Sequence, residues 1–222
     1  MNYFYKQFKI LVWIESFVLL VLGFVLGILL VVKGNENAMY YLGFFLYVPI
    51  SQFLFTPIYT LTGGYTYYSP MLLGYMANDA KIDLHSGTSF DHLFVLRKYP
   101  LGTPLRNRIL LFHLEGLLQL IRLIEEKSIP ESVNIVGTSY FFNDRTLTKL
   151  GFQIEKASLL YRINLFINGI DLFWMYSLSQ GKLAIPTLWD AKKASIQGNQ
   201  LVESKPKLQA LYQHLQAKQA KV

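Results

Sequence analysis

Four side chains between positions 83 and 92 could together carry out hydrolysis. Ser86 offers a nucleophile, His85 and His92 offer bases, and Asp91 offers a carboxylate that could orient a base. The members of a catalytic triad usually come from separate elements, and α/β-hydrolases present their serine in a G-x-S-x-G turn, which this sequence lacks. We therefore interpret these residues as a polar turn cluster rather than as a hydrolase site.

A metal site is the second chemistry that these histidines suggest. His85, His92 and His113 could be joined by Asp83 or Glu115 as nitrogen and oxygen ligands. Their spacing matches no known metal-binding motif, and the chain has no cysteine to supply thiolate ligands or disulfides. The sequence therefore predicts no metal site and no cysteine-based catalysis.

The strongest candidate for ligand binding is an anion site in the basic segment Arg97–Arg108. Arg106 and Arg108 lie near the start of a predicted long helix, where positive charge opposes the helix macrodipole unless an anion is bound there. The anion could be a CoA phosphate, a lipid headgroup or RNA. The alternative is a solvated basic face that lies beside anionic lipid.

Composition divides the chain into two parts. The 222 residues are 52% hydrophobic and only 16% charged, which excludes disorder for most of the chain. Residues 1–64 hold 3 basic and 2 acidic residues, a net charge of +1, whereas residues 65–222 hold 18 basic and 12 acidic residues, a net charge of +6. A charge of +6 over 158 residues is modest and accompanies no nucleic-acid-binding motif, so we expect no nucleic acid partner.

The first part has the pattern of a transmembrane helical hairpin. Ser16–Val32 is a run of 17 uncharged residues, and a second apolar segment covers 38–59. Each segment approaches the roughly 20 residues that span a bilayer, and the first exceeds the apolar region of a cleaved signal peptide. Gly23 and Gly27 form a G-x-x-x-G pattern, which favours packing against the second helix or, alternatively, contact with other membrane proteins.

Charge also predicts the orientation of this hairpin. Lys6 and Lys9 precede the first helix, the turn between the helices carries Lys33, and the long C-terminal part is far more basic. The positive-inside rule then places both termini in the cytoplasm, on a membrane that we take to be a bacterial inner membrane. The lipid bilayer is the one partner that the sequence predicts directly.

The second part has the element order of an α/β or α+β domain with a mixed sheet. We divide the chain into a hairpin at 1–64, a domain at 65–200 and a basic helical tail at 201–222. The domain opens with a linker at 65–70, and an amphipathic helix covers 159–178, on the membrane or in the domain core. The tail is expected to form a frayed surface helix from 206 onward. The elements predicted between them are strands at 71–76, 81–84 and 89–96, a helix at 105–127, a strand at 133–141, a helix at 143–149 and a strand at 151–157.

Part of this domain resembles the second half of the GNAT superfamily of N-acetyltransferases. In that family an Asn opens a short helix that leads into a "klGF" strand, and here Asn143 and the K-L-G-F sequence at 149–152 stand at those places. The resemblance covers about 60 of the 222 residues. It implies a GNAT-like fold and, if the chain is an enzyme, acyl-CoA as the cofactor. The residues that it implies for cofactor binding are Arg97, Gly102, Thr103, Arg106 and Asn143.

The sequence also departs from the family at the positions that matter for catalysis. The family holds the acyl-CoA pyrophosphate with an R/Q-x-x-G-x-G/A loop, but here one glycine stands at a different spacing, and Pro100 and Pro104 each remove a backbone donor. The family's frequent general-acid tyrosine is replaced by Leu147, which cannot donate a proton. We therefore expect a non-catalytic accessory or scaffold subunit of a membrane complex. The alternative is an acyl-CoA-dependent N-acyltransferase that acts on an amine or lipid.

Overall fold

The protein opens with two long apolar helices that pack side by side. A computed structural model describes residues 3–140 and 143–219. After a short 3-10 helix at Tyr3–Lys6, helix α1 covers Lys9–Glu36, and a 3-10 turn at Ala38–Gly43 leads into helix α2 at Phe44–Leu61. Lys9–Glu36 and Ala38–Leu61 are each long and apolar enough to cross a membrane, and only 11% of the most apolar window of each is buried.

Glycines on α1 allow the two helices of the hairpin to approach closely. A Cβ added at Gly23 would lie 2.3 Å from the ring of Phe55, and one added at Gly27 would lie 2.7 Å from the Tyr47 hydroxyl. That hydroxyl donates a hydrogen bond of 3.0 Å to the Gly23 carbonyl. The G-x-x-x-G face is therefore occupied by α2 of the same chain, so the alternative contact with a different protein there would require α2 to move aside.

The domain that follows is built on a mixed sheet, which confirms that part of the predicted fold. Within the described residues the sheet has six strands in the order β1-β2-β3-β4-β6-β5. Strands β3 and β4 are parallel, and the other neighbouring pairs are antiparallel. Their bounds are β1 Tyr65–Ser69, β2 Leu72–Tyr75, β3 Lys81–Ser86, β4 Asn134–Ser139, β5 Gln153–Lys156 and β6 Lys192–Gln197.

One face of this sheet is covered by the long helix α4, Thr103–Glu125, which crosses from β3 to β4. Strand residues such as Ile82 and Ile135 pack against Leu120 and Ile121 of α4, and all four are fully buried. This arrangement is the expected consequence of alternating apolar residues on a strand facing an apolar stripe on a helix. The predicted helix at 105–127 and the predicted strands at 71–76 and 81–84 are confirmed to within a few residues.

Two predicted segments take a different structure. The linker expected at 65–70 is strand β1, whose tyrosines pair with β2. The strand expected at 89–96 is helical, with helix α3 at Ser89–Asp91 followed by a π-helical turn at His92–Leu96. Thr88 explains the second difference, because it forms a capping box with Asp91 that satisfies the first backbone donors of a helix.

The C-terminal region is more closely integrated with the domain than the sequence predicts. Helix α5, Asp144–Lys149, leads into β5 as predicted, and the last strand β6 then inserts between β4 and β5. Helices α8, Gly198–Glu203, and α9, Lys205–Gln219, return over α4, where Leu208 is fully buried. The described part of α9 is a surface helix, as predicted, but Leu208 packs it on the core, so the expectation that it is frayed is wrong there. Phe141, the end of the predicted strand at 133–141, lies outside the described residues.

The segment predicted as one amphipathic helix at 159–178 is a pair of helices. Helix α6 covers Leu159–Ile167, and α7 covers Gly169–Gln180, with Asn168 at the junction. Asn168 accepts a hydrogen bond from the side chain of Gln52 on α2, so the junction lies alongside the second apolar helix. The pair therefore packs on both the domain and the hairpin.

An aromatic cluster joins the base of the hairpin to the domain. Phe90 of α3 is almost fully buried, and its ring centroid lies 5.1 Å from that of Phe4 and 5.2 Å from that of Phe53. Buried aromatic pairs at such distances each add roughly 0.5–1.5 kcal/mol beyond the area they bury. Because residues from before α1, from α2 and from α3 meet here, the start of α1 and the end of α2 lie on the same side, next to the domain.

Candidate functional site

The structure places the residues of the predicted anion site around the start of α4. Arg97, Thr103 and Arg106 are exposed there, whereas Gly102 is buried at the N-cap position with φ +83° and ψ −139°. That backbone conformation is essentially restricted to glycine. The backbone N–H of Gly102 donates to the carbonyl of Leu178 at 2.9 Å, so the end of α7 already uses the donor that an anion would need.

The contact between α7 and this loop is a close approach of two backbones. Gly181, at the C-cap of α7, has φ +68°, and a Cβ added to it would lie 3.1 Å from the Cα of Gly102. Pro104 follows in the first turn of α4 and has no N–H. The N–H of Gly102 is therefore occupied and Pro104 offers none, so α7 covers one side of the start of α4 and leaves it fewer backbone donors than a phosphate-binding helix end has.

Asn143 has the local role that the sequence predicts for it. It is the N-cap of α5, and its side-chain oxygen accepts from the backbone N–H of Thr146 at 3.1 Å. The same oxygen accepts from the Thr146 hydroxyl at 3.3 Å. The hydrogen bonds described for Asn143 thus lie within α5, and they account for the start of that helix rather than for ligand binding.

The histidines, Ser86 and Asp91 divide among separate contacts. Ser86 Oγ lies 3.1 Å from His113 Nε2, and His92 Nδ1 lies 3.1 Å from the Thr88 carbonyl. Burial lowers the pKa of His92 and of His113 to about 4, so both rings are neutral at pH 7. Asp91 orients neither ring in the hydrogen bonds described for it, so these contacts do not assemble a triad in which one carboxylate orients the base.

The described residues also contain no group of three or more histidine, cysteine, aspartate or glutamate side chains that could hold a metal ion. His85 lies 3.6 Å from Asp83 on the partly exposed face of β3, whereas His92 is buried. The polar residues of the segment 83–92 therefore make local structural contacts rather than a catalytic or metal site. The main one is the capping box with which α3 begins.

The largest cavity among those described lies elsewhere, between the base of the hairpin and α4. This tyrosine cavity has a volume of about 930 Å³. Its wall from the hairpin includes Val12, Trp13 and Leu61, and its wall from the domain includes tyrosines of β1 and polar residues of α4. The principal polar side chains that line it are Lys9, Tyr65, Tyr67, Glu115, Gln119 and Arg122.

Hydroxyl groups line one side of the tyrosine cavity, and a buried carboxylate behind the lining holds one of them. Tyr5 donates to Thr60 Oγ1 at 3.0 Å, and Tyr67 donates to Asp91 Oδ2 at 2.7 Å. Asp91 is fully buried and also accepts from the backbone N–H of Thr88 at 2.9 Å. Burial, followed by the charge of Asp91, raises the pKa of Tyr67 above its ordinary value, so its hydroxyl stays protonated as a donor.

Charge on the opposite side of the cavity is mixed. Glu115 accepts a hydrogen bond of 3.1 Å from the Tyr212 hydroxyl of α9. For Lys9 and Arg122, no ion pair is found within residues 3–140 and 143–219. Both side chains are exposed, so both are available to a ligand that enters the cavity.

Sequence reasoning missed this cavity because its residues come from four separate stretches of the chain, at 5–13, 60–70, 115–122 and 212. The alternation of Tyr65 and Tyr67, which is typical of a strand with one shared face, was a usable signal. Comparison of the chain with protein-family models, with curated proteins and with solved structures found no match in any of the three.

Proposed function

We propose that this protein is a membrane-anchored accessory or scaffold subunit whose cytoplasmic domain is a GNAT-like domain that does not transfer acyl groups. The observation that carries the proposal lies at the start of α4. There the carbonyl of Leu178 accepts the N–H of Gly102, and Gly181 packs against the backbone of Gly102. An acyl-CoA pyrophosphate would need those positions free.

Membrane anchoring is supported by the hairpin. Its two helices have the length and composition of spans, and most of their apolar side chains are exposed in the isolated chain. An unassociated soluble protein rarely exposes an apolar surface of that size. Since the start of α1 and the end of α2 both adjoin the basic domain, the positive-inside rule favours placing the domain and both termini in the cytoplasm.

The helix pair α6–α7 adds to this support. Its side chains Leu160 and Phe166 are 80% and 64% exposed, and Ile185 in the following loop is 83% exposed. This apolar surface continues that of the hairpin, because Phe45 of α2 lines a small apolar cavity with Phe166 and Ile185. A helix pair with such a face is suited to lie against lipid beside the spans.

The GNAT-like resemblance is supported by the element order from β3 to β5. A long helix crosses between two parallel strands, Asn143 opens a short helix, and the K-L-G-F sequence ends that helix and leads into β5. One element of the resemblance is absent, because the segment 91–96 is helical rather than a strand. Leu147, which stands in place of the general-acid tyrosine, packs against the main core.

Titration calorimetry of the full chain in detergent micelles tests the proposal against the acyltransferase alternative. Acetyl-CoA and a long-chain acyl-CoA are each titrated into protein micelles and, as a control, into empty micelles. Absence of binding at millimolar acetyl-CoA, with no more long-chain signal than from empty micelles, supports an accessory role. Micromolar binding that is lost in Arg106→Asp, an exposed position where misfolding is not expected, refutes the proposal.

The anchoring itself is tested separately. A reporter fused after Val222 should be active on the cytoplasmic side of the membrane, and the chain should remain in the membrane after extraction at alkaline pH. An exported reporter would reverse the orientation, and release of the chain would refute the anchor. Neither result depends on whether acyl-CoA binds.

A further inference from the structure

We propose that the tyrosine cavity binds an anionic amphiphile, with the hydrocarbon chain against the hairpin and the anionic headgroup between Lys9 and Arg122. The shared chemistry is a phosphate or carboxylate on a long alkyl chain, as in an acidic phospholipid or a fatty acid. The inference rests on the membrane anchoring proposed above, because that anchoring brings the cavity to the level of the lipid headgroups.

The volume of the cavity, and the presence of an apolar and a polar part in its lining, support a ligand of this kind. About 930 Å³ lies near the upper end of the range of roughly 300–1,000 Å³ that is typical of small-molecule sites. Val12, Trp13 and Leu61 form an apolar wall that continues into the exposed surface of the two helices. A hydrocarbon chain could therefore lie on this wall and leave the cavity toward the bilayer without crossing a polar barrier.

The polar part of the lining favours an anion over a neutral headgroup. Lys9 and Arg122 carry two positive charges and Glu115 one negative charge, and the carboxylate of Glu115 already accepts a hydrogen bond from Tyr212. Lys9 stands in the first turn of α1, where a positive charge is unfavourable next to the helix dipole unless an anion is near. Arginine adds planar donors that suit phosphate and carboxylate oxygens.

The place of Lys9 and Trp13 in the chain supports the membrane as the source of the ligand. Lys9 and Trp13 stand one turn apart at the start of the first apolar helix, where cationic and aromatic side chains meet the headgroups of a bilayer. Tyr65 and Tyr67 provide hydroxyl groups on the domain side of the same cavity. A soluble anion would make no favourable contact with the apolar wall. An amphiphile would contact the apolar wall with its hydrocarbon chain and the polar lining with its headgroup.

Quenching of Trp13 by brominated lipids tests this inference in nanodiscs of phosphatidylcholine. A small, fixed fraction of brominated phosphatidylglycerol, brominated stearic acid or brominated phosphatidylcholine is added in three separate arms. The Trp13→Phe variant gives the background from Trp174 and Trp189, the other two tryptophans of the chain. Stronger quenching by either anionic lipid than by phosphatidylcholine supports the proposal, and the stronger anionic arm identifies the source.

A charge-removing variant makes the test specific to the cavity. The double variant Lys9→Gln/Arg122→Gln should weaken the anionic preference at least about tenfold, since each charged contact to an anion contributes a factor of this order. Lys33→Gln, at the far end of α1, is the matched control and should leave the preference unchanged. A second variant, Leu118→Phe, keeps the charges and adds no tryptophan but narrows the cavity, and it should also reduce the preference.

The outcomes separate this inference from the proposed function. Equal quenching by anionic and neutral lipid, or an anionic preference that survives both cavity variants with native circular dichroism, overturns the inference while the membrane anchor stands. Release of the chain from membranes at alkaline pH instead removes the anchor on which the inference rests.

Discussion

Replacement of Gly181 by alanine should open the contact that closes the start of α4. The substitution has two costs. A left-handed backbone at φ +68° is unfavourable for alanine by about 1–2 kcal/mol, and the new Cβ would lie 3.1 Å from the Cα and 3.3 Å from the N of Gly102. Crowding of a packed contact adds about 1–3 kcal/mol, so the expected total loss is about 2–5 kcal/mol.

Gly63 offers a matched control for the cost of the left-handed backbone conformation. It has φ +82°, but a Cβ added there would meet nothing within 4 Å, so Gly63→Ala bears only the conformational cost. Unfolding in mixed micelles should therefore show a larger loss for Gly181→Ala than for Gly63→Ala by at least about 1 kcal/mol. Amide exchange at Gly102 should also become faster, because its hydrogen bond to Leu178 is disturbed. Equal losses with unchanged exchange at Gly102 would refute the idea that α7 closes this site.

The remaining predictions concern the core, the hairpin and the dependence on pH. Burial lowers the pKa of His92 from 6.5 to about 4, so the unfolded chain binds the proton more readily than the fold does between these pH values. The free energy of unfolding is therefore fully retained above pH 6.5 and falls by about 3 kcal/mol as the pH is lowered from 6.5 to 4. His92→Gln should flatten acid unfolding over that range, and an unchanged profile would contradict this. Leu208→Ala should lower the free energy of unfolding by about 2–5 kcal/mol, whereas its exposed neighbour Gln209→Ala should change it by less than about 0.5 kcal/mol. Gly27→Leu should lower the thermal midpoint, because the Tyr47 ring must move, without changing the oligomeric state; loss of a dimer would instead favour an intermolecular contact.

The elements that could be predicted from the sequence are those with a strong local pattern. The apolar stripe of α4 and the long uncharged run of α1 determine their own secondary structure over many turns. Strand β6 could not be found in this way, because its order between β4 and β5 depends on pairing across the sheet. Its alternation of Ala194 and Ile196 with polar residues is too short to stand out.

The error at 89–96 has a different cause. The apolar residues of this segment fit a strand as well as a helix over so short a distance. The deciding feature is Thr88. Its side chain accepts the backbone N–H of Asp91, and its own backbone N–H donates to the Asp91 carboxylate, so the first donors of a helix are satisfied. Asp91 is then buried and bonded to Tyr67, and a residue that suggested catalysis becomes a structural support for the cavity wall.

The same dependence on distant partners explains why neither site could be read from the sequence. Whether Gly102 can bind a phosphate is decided by Gly181 and Leu178, which lie more than 70 residues later in the chain. The charged residues of the tyrosine cavity are likewise separated by more than 100 positions, from Lys9 to Arg122. A loop motif predicts binding only if the rest of the fold leaves its donors free, and here the fold closes the loop and opens a cavity elsewhere. The binding capacity of this protein is therefore expected at the hairpin–domain junction rather than at the position that the family resemblance implies.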